Sequence, residues 1–428
     1  MFKDPALGAH NCDIYFGREV VNRVSFLRED ADFVAKAATH QSTRFIFYEN
    51  GNPLVRKIEN KAHLMVLTNG DGQLQTIEGE DAPGPHQGLL NDPEWTHIVE
   101  TWAEDNRVQS PGLRDSGKPS FLFLGIKDES VGIDLCHLKL YAEETYLDHQ
   151  GRYLGIPYFG VDVSGAPGVA ALVFRHILQH GPGSSDEEYI FSHSWKHVMG
   201  LSMDDSAFFS LGKMYFDWLG RNRFCPGCGS KVIAIHAGGK LRCTNEAQMA
   251  SNLESPQYEC PVRNATVSNV SFPRTDPVVI TAITNREHTK ILLAMGKRHV
   301  KKKMYSCIAG FMEPSETVEV AAKREIWEET GVVCTDIQIL MSQPWPFSGN
   351  LMIGCIATVD FNGENEAISL GHDRELADAR WFDISEVRDY LQDKSNNAAR
   401  GEGLQLPSLV SVAHALIKWL VEKSESKL

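Results

Sequence analysis

The pattern of apolar and polar residues changes along the 428-residue chain and predicts different elements in each part. In the first half, short runs rich in β-branched and aromatic residues are separated by turns rich in Gly, Pro and Asp, which predicts strands. These runs cover residues 43–48, 63–68, 120–126 and 153–163. Apolar residues then recur at helical spacing, which predicts a helix over 204–219.

The second half predicts strands that surround one strongly helical segment. The strands cover residues 277–284, 290–295, 305–309 and 351–361. The helical segment covers 317–330, where Val318, Ala322 and Ile326 form an apolar stripe, and a last helix is predicted over 408–421. Strands and helices mixed in this way indicate an α/β protein.

Composition excludes several classes of protein. The formal net charge is −14, with 42% hydrophobic and 23% charged residues, which is unlike a disordered chain or a generally basic nucleic-acid binder. The longest apolar stretch, 409–421, is interrupted by His414 and Lys418, so we expect no membrane span. The first 17 residues lack the apolar core of a secretory signal, and we therefore expect folding in the reducing cytosol.

Four of the nine cysteines follow a ligand spacing. Cys225, Cys228, Cys243 and Cys260 form the pattern C-x2-C-x14-C-x16-C, which predicts a closed structural zinc site. The long spacing before Cys260 leaves His236 open as a substitute ligand. We expect the remaining cysteines to be buried as small hydrophobic residues: Cys12, Cys136, Cys307, Cys334 and Cys355.

The helix over 317–330 carries the candidate chemistry. Thr317 is suited to cap its first turn, and Gly331 is suited to end it in the left-handed conformation. Glu325, Glu328 and Glu329 are three or four residues apart, so their carboxylates crowd one side of the helix and repel each other. Hard divalent cations such as Mg2+ or Mn2+ would relieve that repulsion. Arg324 is placed to meet Glu328 and Glu316.

The segment from Gly310 to Val332 resembles the Nudix box, G-x5-E-x7-R-E-U-x-E-E-x-G-U, where U is aliphatic, at every defined position. The resemblance implies that water attacks phosphorus in a nucleoside diphosphate joined to a second group. It also implies two or more Mg2+ or Mn2+ ions, held by the backbone carbonyl of Ala309 and by carboxylates. We take the catalytic carboxylates to be Glu325, Glu328, Glu329 and Glu375, and which of them is the general base stays open.

A second motif resembles one particular group within the Nudix family. Residues 342–350, Ser-Gln-Pro-Trp-Pro-Phe-Ser-Gly-Asn, are similar to the S-Q-P-W-P-F-P-x-S array of NudC-like NADH pyrophosphatases, which also carry a zinc ribbon before the Nudix domain. Ser348 stands in place of the family's proline and Asn350 in place of its serine. The expected substrate-binding residues are Phe272, Phe311, Gln343, Pro344, Trp345, Pro346, Phe347, Ser348, Gly349, Asn350 and Ala413.

The resemblance implies an α/β chain with an N-terminal mixed α/β domain over 1–222, a zinc ribbon over 223–270 and a Nudix α/β/α sandwich with a mixed sheet over 271–421. It also implies a homodimer that hydrolyses NADH, and to a lesser degree NAD+, to reduced nicotinamide mononucleotide and AMP. Residues 422–428 form a polar tail that ends in Ser426, Lys427 and Leu428. This tripeptide is the signal read by the peroxisomal import receptor, so we expect a peroxisomal matrix protein.

Two other functions stay open. One is removal of NAD caps from RNA, which present the same diphosphate; the net charge of −14 and the peroxisomal tail argue against RNA as the main substrate. The other is a sensor that binds dinucleotide without turnover. The basic segment 297–303 would attract phosphates, or would simply form a solvated loop.

Overall fold

The structure is a computed structural model that describes residues 14–59, 61–71, 87–110, 113, 117–131, 145–180, 187–245, 260, 262, 272–313, 316–371, 375–392 and 405–425. It divides into two compact units, Arg18–Arg274 and a second that joins Met1–Gly17 to Thr275–Leu428. Both units mix helices and strands, which confirms the predicted α/β class. Among the helices that the structure describes, none is both long and apolar enough to cross a bilayer.

The Arg18–Arg274 unit is built on an eight-stranded sheet, with β7 parallel to β1 and antiparallel to β5. Its strands are β1 Arg44–Glu49, β2 Asn52–Ile58, β3 Lys61–Leu64, β4 Val66–Thr68, β5 Ser120–Lys127, β6 Leu147–His149, β7 Tyr153–Asp162 and β8 Glu187–Phe191. Its helices are α1 Ala31–Thr39, α2 Pro93–Arg107, α3 Pro167–His180, α4 Trp195–Val198 and α5 Met203–Arg221. Short 3-10 turns lie at Ser25–Glu29, Leu89–Asn91 and Glu129–Val131. Buried aromatic rings, among them Phe45, Trp95 and Phe159, fill the core beneath the sheet.

The same unit contains a two-stranded antiparallel hairpin, β9 Val232–Ile235 with β10 Lys240–Cys243. The hairpin follows the turn that carries Cys225 and Cys228. Cys243 is the last residue of β10 and lies opposite Val232. Local strand pairing therefore brings the third cysteine back toward the first two.

The second unit is a six-stranded mixed sheet between helices. Its strands are β11 Asp276–Asn285, β12 Lys290–Gly296, β13 Ile308–Phe311, β14 Asp336–Trp345, β15 Asn350–Val359 and β16 Leu376–Asp383, with a 3-10 turn at Lys297–Lys302. Its helices are α6 Val318–Thr330, α7 Ile384–Gln392 and α8 Val412–Glu425. The strand order is β14-β15-β11-β12-β16, with β13 on β11, and β11 is parallel to β15.

Alternate residues of the central strand β11 pack against opposite helical layers. Ile280 and Ala282 belong to the core formed with α7 and α8, whereas Ile283 belongs to the core formed with Ile326 of α6. Successive side chains of a strand point to opposite faces of its sheet. The predicted α/β/α sandwich with a mixed sheet is thus confirmed.

Three predicted elements have the wrong bounds. The run 63–68 is two strands divided at Met65, because β3 pairs with β2 whereas β4 pairs with β1. The strand predicted over 305–309 begins at Ile308, since the Tyr305 amide bonds to the carbonyl of Gln405 instead. The last helix begins at Val412, four residues later than predicted, after a turn closed from Ser408 to Ser411.

Candidate active site

The helix that carries the glutamates begins and ends at the predicted residues. The Thr317 side chain accepts a hydrogen bond from the Val320 amide at 3.3 Å. Gly331 adopts φ 74° and donates its N–H to the Trp327 carbonyl at 2.8 Å. These caps fix where the helix stops and therefore which turn faces β13.

Gly310 on β13 leaves the space that the Glu325 carboxyl group occupies. A Cβ atom built on Gly310 would lie 2.0 Å from Glu325 Cδ and 2.2 Å from each carboxylate oxygen. Only a residue without a side chain fits at that position. Burial raises the pKa of Glu325, and the neighbouring Arg324 guanidinium opposes that shift. The strand and the helix together form a tight cradle around this one carboxylate.

Arg324 connects the box residues to one another. Its Nε and Nη2 atoms donate to the two oxygens of Glu316 at 2.7 and 3.0 Å, and Nη1 donates to Glu325 at 2.7 Å and to Glu328 at 2.9 Å. Nη2 also donates to the Phe311 carbonyl at 2.8 Å. The guanidinium lowers the pKa of Glu316, and the surrounding carboxylates raise the pKa of Arg324. One planar cation thus orients the loop, the strand end and the catalytic helix.

The remaining predicted carboxylates differ in exposure. Glu329 is buried on the helix, whereas the Glu328 side chain is 40% exposed. Glu375 is exposed just before β16, and its carbonyl accepts the Lys297 amide at 3.2 Å. In the described part of the chain, no three of these carboxylates have ligand atoms within 4.8 Å of one another. The donor set, all oxygen and mutually repelling, is nevertheless the type that Mg2+ and Mn2+ prefer.

The second motif forms the end of a hairpin. Gln343, Pro344 and Trp345 close β14 and pair with Met352, Leu351 and Asn350 of β15. Pro346, Phe347, Ser348 and Gly349 form the turn, where Gly349 has φ 75°. The rings of Trp345 and Phe347 meet edge to face with centroids 5.3 Å apart. The motif is therefore divided between the end of strand β14 and a turn, and the aromatic pair lies at the tip of the hairpin.

Two amide side chains of this motif are buried. Gln343 is 1% exposed and accepts the Val412 amide at 2.8 Å, while its Nε2 donates to the carbonyls of Tyr15 and Val410 at 2.9 and 2.8 Å. These bonds show that Gln343 holds the start of α8, where the substrate-binding candidate Ala413 lies buried. The Asn350 Oδ1 atom is buried and has no hydrogen-bond partner among the residues that the structure describes. Buried polar atoms in folded proteins are generally hydrogen-bonded, so this oxygen can accept a further hydrogen bond at the site.

The two other aromatic residues that were predicted to bind substrate have exposed side chains. Phe311 follows Gly310 on β13, and its ring side chain is 58% exposed. Phe272 is 48% exposed in the Arg18–Arg274 unit, where the Lys240 ammonium lies 5.2 Å from its ring centroid. Each ring is thus available for stacking in its own unit.

The four cysteines predicted to bind zinc come together. Their sulfur atoms all lie within 4.8 Å of one another, with Cys225 3.5 Å from Cys260 and Cys228 3.4 Å from Cys243. Tetrahedral Zn–S bonds of about 2.3 Å require sulfur atoms roughly 3.8 Å apart. Burial opposes ionisation of Cys228, but hydrogen bonds from Ser230 lower the pKa of its thiol to about 6. His236 lies outside the group, with Nδ1 3.5 Å from a Glu29 oxygen.

Sequence reasoning missed the part that residues 14–17 play. Tyr15 and Phe16 are buried in the unit that carries the site, and the Phe16 ring contacts both aromatic rings of the hairpin tip. Two adjacent aromatic residues before a glycine were the only local signal, and they carry no information about a partner more than 300 residues away.

Comparisons with known proteins agree with this geometry. The family described as NUDIX domain matches residues 274–402. A protein of Saccharomyces cerevisiae named NAD-capped RNA hydrolase NPY1 is 37% identical over 418 residues, 95% of each chain. Human NAD-capped RNA hydrolase NUDT12 is 28% identical over 96% of this chain and 74% of its own length. Human mitochondrial NAD(P)H pyrophosphatase NUDT13 is 32% identical over 53% of this chain and 58% of its own.

A mixed sheet between helices, with glutamates on a capped helix against a strand glycine, together with these matches, places the chain among hydrolases that act on diphosphate bonds. The chain belongs to the Nudix hydrolases, within their NADH pyrophosphatase-like family.

Proposed function

We propose that this enzyme hydrolyses the diphosphate bond of NADH, and less readily of NAD+ and related dinucleotides, to give reduced nicotinamide mononucleotide and AMP. The observation that carries the proposal is the Glu325 carboxylate seated over Gly310 and bonded to Arg324, in one unit with the aromatic hairpin. The names of two relatives, a NAD(P)H pyrophosphatase and a NAD-capped RNA hydrolase, support a nicotinamide dinucleotide as the group that is cleaved.

The residues divide the work of the reaction. Divalent cations held by Glu325, Glu328, Glu329, Glu375 and the Ala309 carbonyl would neutralise charge on the diphosphate oxygens and make a water molecule more acidic. Arg324 holds Glu325 and Glu328 in place. The bases of the dinucleotide would stack on aromatic rings. The exposed Phe311 ring and the pair formed by Trp345 and Phe347 provide flat apolar surfaces for the nicotinamide and adenine bases.

Replacement of Glu325 tests the catalytic assignment. We expect Glu325→Gln to reduce NADH cleavage by at least about 100-fold with Mg2+ or Mn2+ present, because one charged ligand is lost. The matched control is Glu319→Gln, which removes an exposed carboxylate from the first turn of the same helix. Phosphorus NMR follows the reaction directly. Unchanged cleavage by the Glu325 variant would disprove the assignment, and an intact diphosphate signal with the unaltered enzyme would indicate a sensor.

A second candidate function, removal of NAD caps from RNA, is favoured by the basic segment. Lys297, Arg298 and residues 301–303, all lysines, are exposed, and the Lys297 amide bonds to the carbonyl of Glu375. Cations beside a catalytic carboxylate would bind the RNA backbone that follows the cap. Replacing residues 301–303 by glutamate should weaken cleavage of capped RNA and flatten its salt dependence, while NADH cleavage stays unchanged. Equal effects on both substrates would argue against an RNA role.

We propose that the cysteine group holds one structural Zn2+, that the chain forms a homodimer, and that its last three residues direct it to the peroxisome. Residues 426–428 lie outside the described part of the chain. Sedimentation would test the dimer. Fluorescence microscopy of the tagged chain, with and without residues 426–428, would test the location, and a cytosolic signal from the complete chain would refute it.

A further inference from the structure

Three aromatic rings form a cluster at the tip of the hairpin. Phe16 meets Trp345 with ring centroids 5.9 Å apart at 83°, and meets Phe347 at 5.7 Å and 79°. Trp345 and Phe347 also meet each other edge to face. Phe16 is only 3% exposed, whereas the other two rings are partly exposed. Phe16 therefore lies on the buried side of the pair, and part of each of the other two rings stays exposed.

The backbone around Phe16 is held in place from two sides. The Gln343 Nε2 atom donates to the Tyr15 carbonyl at 2.9 Å, and the Gly17 amide closes a turn onto the Ile14 carbonyl at 2.9 Å. A Cβ atom on Gly17 would lie 2.8 Å from Pro344 Cδ, so the segment fits closely against β14. Phe16 itself has φ 71°, in the left-handed region that large side chains rarely adopt.

We propose that Phe16 is a positioning residue for base recognition: it fixes the orientation of Trp345 and Phe347 so that their exposed surfaces are ready to stack on a nucleotide base. This inference rests on the proposed function, which gives those two rings their role. Edge-to-face packing on a buried third ring limits the rotamers of both. Rings that are already ordered lose less conformational entropy when a base binds. The N-terminal segment 14–17 is then part of the substrate site.

Binding of separate nucleotide halves tests the proposal without requiring turnover. The full chain is titrated by calorimetry with AMP, with nicotinamide mononucleotide and with ribose 5-phosphate, which has the sugar phosphate but no base. We expect Phe16→Ala to weaken at least one base-bearing ligand about tenfold and to change ribose 5-phosphate binding less than twofold. In NADH hydrolysis, KM should rise by a similar factor while kcat stays within about threefold.

Two further variants separate ring geometry from stability. Phe16→Leu keeps apolar bulk without a ring, so it should fold and still weaken the base-bearing ligand. The matched control is Phe361→Ala, which removes a ring from another edge-to-face pair of the same unit, with Trp381 at 4.8 Å. The control should leave all three affinities unchanged.

Several results would overturn the proposal. One is a Phe16→Leu protein whose affinities equal those of the unaltered chain. Another is a Phe16→Ala protein that loses affinity for ribose 5-phosphate as much as for the nucleotides. The third is an unaltered chain that binds the nucleotides no more tightly than ribose 5-phosphate. A chain whose nucleotide binding depends on Phe16 but which cleaves no dinucleotide would refute the proposed function and leave this inference standing.

Discussion

The contact between Gly310 and Glu325 gives the sharpest prediction about catalysis. In Gly310→Ala, the new methyl carbon would lie 2.0 Å from Glu325 Cδ, whereas ordinary contacts begin near 3.4 Å. The carboxyl group must move by more than 1 Å, and it would have to break or stretch its 2.7 Å bond to Arg324. A displacement of about 1 Å at a catalytic group costs roughly 100-fold in rate, equivalent to about 2.7 kcal/mol.

The assay for this variant is steady-state cleavage of NADH with saturating Mg2+ or Mn2+. We expect kcat to fall about 100-fold with little change in melting temperature, because the three atoms nearest to the new methyl group all belong to the end of the Glu325 side chain rather than to the backbone. Gly371→Ala is the matched control: its nearest contact would be a Ser369 oxygen at 3.7 Å, an ordinary separation. Adding Glu325→Asp, which shortens the acid, should cost much less in the Gly310→Ala background than alone. A Gly310→Ala enzyme with kcat within threefold of the unaltered chain would refute the reasoning.

Three further predictions concern the charge network, the cysteines and acid stability. Arg324→Lys should lower kcat at least tenfold, since an ammonium group cannot replace the paired bonds to Glu316, and equal kcat values would contradict this. Cys228→Ser should release about one zinc per chain in a colorimetric metal assay and lower the melting temperature, whereas unchanged metal content would exclude the site. The Arg56 hydrogen bonds lower the pKa of Glu187, so this pair stabilises the fold above the unfolded pKa of about 4.3 and stops doing so as pH falls through the folded value. Glu187→Gln should therefore lower the melting temperature at pH 7 and have little effect near pH 3; equal losses at both would refute the ionic origin.

The local sequence was sufficient to predict the bounds of the catalytic helix, because the residues that start and end a helix act on neighbouring turns only. Thr317 and Gly331 cap the helix through bonds to the adjacent turn. Cys225 and Cys228 could likewise be paired from their short spacing. Cys260 joins them only through the tertiary fold, since it is 35 positions from Cys225. The predicted strand bounds were wrong where pairing with distant strands determines them. At Met65, for example, the chain passes from β3, which pairs with β2, to β4, which pairs with β1.

Residue spacing by itself located the crowded carboxylates, the helix caps and the cysteine ligands, and the resemblance of the same residues to the Nudix box implied the class of chemistry. Tertiary packing decided how those groups are held. It placed the Glu325 carboxyl group against Gly310, and it buried the Gln343 amide between the backbones of Tyr15 and Val410. It also packed Phe16 against Trp345 and Phe347, which follow it by more than 300 residues. Such contacts depend on sheet order and close packing of distant segments, and no short-range pattern of apolar and polar residues records them.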